Sequence, residues 1–183
     1  MSEIIAPKIP VSEGLTVIGC DPSATRNCGW AVLRFEGGAP KLLLKQTQKI
    51  ERESDDLLRY EDVYAHLNAI ISSLSPAPRV LCIERSMGGG LQFVRNNLSE
   101  TVGVIKMACG QAGIYVYETS PAHLKKIVAG HGRAKKPHIK ANVVATFGLE
   151  KAGPEHECDA VACALSYLVD AGWKGYEVKV PFE

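Results

Sequence analysis

The segment Leu15-Thr16-Val17-Ile18-Gly19-Cys20-Asp21-Pro22-Ser23, answered by Gly29-Trp30-Ala31-Val32-Leu33-Arg34-Phe35, decides the architecture. Two apolar stretches separated by a polar turn read as antiparallel strands over about residues 15–20 and 29–35. Gly37-Gly38 then turns the chain into a third strand over about residues 41–48. Asp21 closes the first apolar run, which makes it a carboxylate at the C-terminal tip of a buried strand.

Working outward, Ser54-Asp55-Asp56 can cap a helix reaching about residue 74, with Leu57, Leu58, Val63, Leu67, Ile70 and Ile71 on its inner face. Pro76 and Pro78 end it. Residues 79–84 are almost wholly apolar, as a central strand should be, and they finish in Glu84. A helix over about 91–111 and a strand over about 113–118 follow. Ser120-Pro121 opens another helix, a cap followed by proline in the first turn. A basic loop leads to a helix at about 137–147 that stops at Gly148, and the last helix spans about 154–171. His156 and Asp159, three apart on its first turn, share one face. The order predicts an α/β fold of ribonuclease H-like type: a five-stranded mixed sheet, its first three strands antiparallel, with helices on both faces.

The chain of 183 residues suits one domain over about 15–171, with a flexible N-terminal tail (1–14) and a C-terminal tail (172–183). No apolar stretch is long enough to span a membrane, and residues 1–14 do not read as a signal peptide, so a cytoplasmic protein is expected. The six cysteines form no CxxC pair and sit in apolar runs. They are expected to be small buried hydrophobes in a reducing compartment rather than zinc ligands or disulfides.

Net charge is only +1, but its distribution is uneven. No acidic residue falls between Thr119 and Leu149, whereas Lys125, Lys126, Arg133, Lys135, Lys136 and Lys140 do, around Gly130-His131-Gly132. Such a block suits a phosphate backbone. Ionised carboxylates at strand tips are costly unless a cation or hydrogen bonds compensate them. Asp21, Glu84 and Asp159 with the imidazole of His156 form a donor set for a hard divalent ion, magnesium or manganese. Metal-assisted phosphodiester chemistry is the expected reaction. Trp30 and Trp173 read as packing residues, His66 as a surface residue, and Glu157 as a supporting neighbour of the metal pair.

These motifs, in this order, resemble the RuvC family of Holliday-junction resolvases. The likeness runs from about residue 15 to 170. It rests on Gly19-Cys20-Asp21-Pro22-Ser23 with Gly29-Trp30-Ala31-Val32, on Ile83-Glu84, on Ser120 to Lys126 with Gly130-His131-Gly132 and Lys136, and on His156-Glu157-Cys158-Asp159-Ala160. The resemblance implies that Asp21, Glu84 and Asp159 hold magnesium, two ions per site with manganese as a substitute. His156 stands where members carry Asp or His. Lys125 and Lys136 would hold the DNA backbone near the scissile phosphate, with Lys126 and Arg133 as further DNA contacts. A homodimer built around the helix after residue 91 is implied, cutting opposite strands of a four-way junction; a branch-migration motor is a partner that bacterial relatives use and phage relatives often lack, and the sequence leaves it open. Many members place an aromatic wedge just after the strand-end Glu. This chain has Arg85-Ser86-Met87 there, so Met87 and Phe93 are the candidates for that role.

Other activities fit the same residues. A nuclease of this fold acting on flaps, other branched DNA or an RNA–DNA hybrid would keep the carboxylates without needing a dimer. A non-catalytic junction binder would have no use for clustered negative charge beside phosphate. An actin-like ATP-using protein would need a second glycine-rich phosphate loop, which the chain lacks.

Overall fold

The computed structural model describes residues 8–23, 27–50, 56–85 and 92–181. Its five strands are β1 (Thr16–Asp21), β2 (Asn27–Glu36), β3 (Ala39–Lys49), β4 (Val80–Glu84) and β5 (Tyr115–Thr119), and its helices are α1 (Asp56–Ser72), α2 (Gln92–Gln111), α3 (Pro121–Ala129), α4 (Lys136–Phe147) and α5 (Glu155–Asp170). The sheet order is β3-β2-β1-β4-β5. β1–β2 and β2–β3 are antiparallel, while β1–β4 and β4–β5 are parallel. This is the expected mixed sheet. β2 and β3 are longer than expected, because Asn27 pairs with Lys49 and Glu36 with Ala39, around a bulge at Val32/Leu33.

Strand side chains alternate between faces, and the two faces carry separate cores. Leu15, Val17, Val80 and Cys82 pack with α3, α4 and α5. Ile18, Cys20, Leu81 and Ile83 pack with α1 and α2. Trp30 is wholly buried, and its indole N–H donates to Gln48 at 3.1 Å. Trp173 packs against Phe35 and Tyr176. All six cysteines are buried and free. No helix among the described residues is long and apolar enough to cross a membrane.

Helix α5 decides where the functional residues meet. It lies directly on β1 and β2, with nearly every residue from Cys158 to Leu168 buried. Two strand glycines make this approach possible. A Cβ on Gly19 would sit 1.9 Å from the Ala160 carbonyl oxygen, and one on Gly29 would sit 1.9 Å from that of His156. The first turn of α5 is thereby placed beside the C-terminal tip of β1. α3 starts as its sequence implies: Ser120 Oγ accepts from the His123 N–H at 3.2 Å, and Gly130 caps the other end at φ 77°.

Some expectations shift. Leu57 and Leu58 do not join the inner face of α1: they are 61% and 53% exposed, and the inner face is Val63, Leu67 and Ile70. Leu57 instead shares with Tyr60 and Tyr64 a stripe that faces α2. Ser54, Asp55 and Met87 lie outside the described residues, and Phe93 falls in the first turn of α2. Residues assigned to the tails contact the domain: the Tyr167 hydroxyl donates to the Ile9 carbonyl at 2.8 Å, and Asn142 bonds the backbone of Lys179 and Val180.

Candidate active site

Asp21 ends β1 and Glu84 ends β4, neighbouring parallel strands, so both carboxylates leave the sheet at the same edge. His156 and Asp159 reach that edge from the first turn of α5. His156 Nδ1 lies 2.7 Å from Asp21 Oδ2. An ionised carboxylate only accepts, so Nδ1 is the donor in this contact. Lys136, at the start of α4, places its ammonium 3.5 Å from Asp159 Oδ2 and also pairs with Glu155.

The electrostatics mark a site short of positive charge. Burial raises the Asp21 pKa, and the charge of Asp159 adds to this, while His156 and Lys136 work against it. Burial also raises Asp159, with Lys136 opposing. Glu84 is pushed up to about 7, by burial first and then by Asp21 and Asp159, with Lys125 and Lys136 opposing. Burial alone would lower the Lys136 pKa, yet its carboxylate neighbours, Glu155 first, raise it. Two of the four basic residues expected to contact DNA, Lys125 and Lys136, thus act on the carboxylates. Lys126 and Arg133 are exposed on the basic segment beyond them.

These donors suit a hard divalent ion chemically, being oxygen-rich and starved of charge. Among the described residues, no three His, Cys, Asp or Glu side chains converge tightly enough to enclose an ion. Lys136 and His156 hold Asp159 and Asp21 in their own contacts. Glu157 points off the face of the metal pair, as its place on the helix implies. It turns to β3, where it accepts from Lys45 at 2.9 Å and Thr47 at 3.2 Å, clasping α5 to the sheet. His66 is half-buried, 2.8 Å from Gln46 Nε2 and tilted against Trp30.

Sequence reading alone missed the Lys45–Glu157 clasp and the partnership of Lys136 with Glu155. The first joins elements 112 residues apart and the second joins two successive helices. The one local signal was acidic: Glu155 and Glu157 flank His156 in the first turn of α5.

The raised Glu84 pKa has a testable sign. The unfolded chain loses this proton near the ordinary value of 4.5, and the folded protein near about 7. Between those values the folded state binds more protons, so Glu84 makes stability fall as pH rises through the window. Urea unfolding in a chelator from pH 4.5 to 7.5 should show a shallower decline for Glu84→Gln than for the parent. Equal slopes would contradict the burial argument.

The family model described as crossover junction endodeoxyribonuclease RuvC matches residues 17–167, a span that holds all four candidate ligands. A protein of that name from Moorella thermoacetica is 28% identical over 172 residues, covering 91% of this chain and 98% of its own. Its counterpart from Paracoccus denitrificans is 32% identical over 155 residues, covering 84% and 91%. The structure of T. thermophilus RuvC in complex with Holliday junction substrate superposes with a TM-score of 0.76 at 25% identity, over 83% of this chain and 92% of that one. With the sheet order, the strand-end carboxylates and a match over most of its length in agreement, the chain belongs to the crossover junction endodeoxyribonuclease RuvC family.

Proposed function

We propose that this protein is a structure-specific endonuclease that resolves four-way DNA junctions by paired, symmetric nicks, leaving 5′-phosphate and 3′-hydroxyl ends. The observation that carries the reading is the meeting of Asp21, Glu84 and Asp159 at one sheet edge, with Lys125 and Lys136 acting on the same carboxylates. A binding module has no reason to bury mutually repelling carboxylates beside the cations that would hold phosphate.

Asp21, Glu84 and Asp159 would hold magnesium, two ions per site, with manganese able to replace them. Bound there, the metal supplies the positive charge that activates water and stabilises the leaving 3′ oxygen. The protein's own residues do the rest. Asp21 fixes the imidazole through Nδ1, which leaves Nε2 of His156 to join the metal donors or to orient the attacking water and take its proton. Lys136 exchanges Asp159 for a phosphate oxygen when DNA arrives, and Lys125 supports it from α3. Lys126 and Arg133 track the backbone further out. Met87 and Phe93 remain the candidates for parting bases at the crossover.

A twofold dimer suits a junction with near-twofold symmetry. The groove of about 550 Å³ between α1 and α2, lined by Leu57, Tyr60, Tyr64, Val104 and Met107, supports the partner copy's seat there. Light scattering should give twice the chain mass, and Met107→Asp should lower it to one chain with loss of paired nicking.

The reading is tested by offering labelled four-way junction, linear duplex, flap and RNA–DNA hybrid with magnesium. Paired nicks confined to the junction are expected. Comparable cutting of flap or hybrid would replace the proposal with a broader nuclease.

A further inference from the structure

Beside Glu84, toward α2, there is a recess. A cavity of about 220 Å³ opens between the ends of β4 and β5 and the side of α2, lined by Ile83, Glu84, Arg85, Ser99, Lys106 and Glu118 among others. A water takes about 30 Å³ in the liquid, so the space fits a phosphate with part of its sugar. Its lining carries two cations, Arg85 and Lys106, and two carboxylates, Glu84 and Glu118, and both cations turn to Glu118. Arg85 Nε donates to Glu118 Oε2 at 3.1 Å, and the Lys106 ammonium pairs with Glu118 Oε1. Hydrogen bonding to Lys106 first, and then to Arg85, lowers the Glu118 pKa despite its partial burial.

These pairs contribute little to stability. The Arg85 and Lys106 side chains are 62% and 45% exposed, and such ion pairs are worth about 0–1 kcal/mol. What the arrangement does well is hold both cations at one place. The Arg85 backbone N–H donates to the Thr119 carbonyl at 2.7 Å, extending the β4–β5 ladder, so the base of that side chain is fixed one residue past Glu84. Lys106 stands on the rigid face of α2.

Resting on the junction-cleaving reading above, we propose that Arg85 and Lys106 form a phosphate subsite for the DNA strand next to the one being cut at Glu84, and that Glu118 occupies it until DNA displaces its carboxylate. An Arg fork and a Lys point charge together match a phosphodiester, whose oxygens take the place of the Glu118 oxygens. Glu118 therefore competes with DNA, and removing its charge has the opposite effect on binding from removing the cations.

The test measures junction affinity against salt concentration, along with single-turnover cleavage at saturating protein, for the parent, Arg85→Ala/Lys106→Ala and Glu118→Gln. The double variant should bind about fivefold more weakly and lower the log–log salt slope by about one per subunit. Glu118→Gln should bind more tightly than the parent. If the double variant binds with an unchanged slope, or Glu118→Gln binds more weakly, the cluster is a structural ion pair and the subsite is refuted. Should the parent itself neither bind nor cut the junction, the underlying reading fails instead, a result the salt slopes of the variants cannot imitate.

Discussion

Asp21→Asn is expected to cut a four-way junction more slowly than the parent by on the order of 10³-fold or more, while binding it at least as tightly. The substitution keeps side-chain volume, and the amide oxygen can still accept from His156 Nδ1, so the imidazole stays in place. What disappears is a charge that burial and Asp159 already disfavour. A neutral side chain relieves that repulsion, so in chelator at pH 7 the variant should melt no lower than the parent. Loss of cleavage with intact folding and binding is the signature of a residue that holds the reaction's cation. Loss of all three together would make Asp21 a structural group.

Gly29→Ala should be highly damaging for so small a change. Its methyl would stand 1.9 Å from the backbone carbonyl of His156, which neither a rotamer change nor a flexible side chain can relieve. Either the start of α5 lifts from β2 or the strand bends, at a cost of about 3 kcal/mol or more. Cleavage should fall beyond what the unfolded fraction explains, because the displaced turn carries His156 and Asp159. Gly110→Ala, in α2 with nothing within 4 Å of its Cβ, is the control and should be neutral or stabilising by about 0.5–1 kcal/mol. Equal melting temperatures for parent and Gly29→Ala would show that α5 does not rest on this strand.

The contrast between those two glycines shows what a sequence discloses. Asp21 and Glu84 were legible because each ends an apolar run, and a run's end fixes a strand's tip. His156 and Asp159 were legible from their spacing on a helix that proline introduces. Ser120-Pro121 marked the start of α3 through capping chemistry local to four residues. That α5 would lie so close that only glycine fits beneath it could not be read, since nothing near Gly29 refers to His156, well over a hundred residues later.

The same reasoning explains the other differences. Leu57 and Leu58 have the period of a buried face, yet whether a stripe faces the sheet or a groove depends on where the neighbouring helix lies. Glu157 sits beside two candidate ligands in sequence, but the helix turns it toward Lys45 and Thr47. Arg85, Lys106 and Glu118 come from three separate elements and meet only in the folded chain. Residues at element ends were readable, and the ion pairs between side chains of different elements were not.

The Asp21–Glu84–Asp159 cluster is proposed to hydrolyse junction strands with a divalent cation. The most direct test is nucleotide-resolution mapping of junction cleavage after exhaustive chelation, and again after magnesium or manganese is restored. No cutting in chelator, and with either metal two symmetric nicks on opposing strands bearing 5′ phosphates, is the predicted result. Cleavage that survives chelation, or a junction that stays bound and whole in both metals, would contradict it.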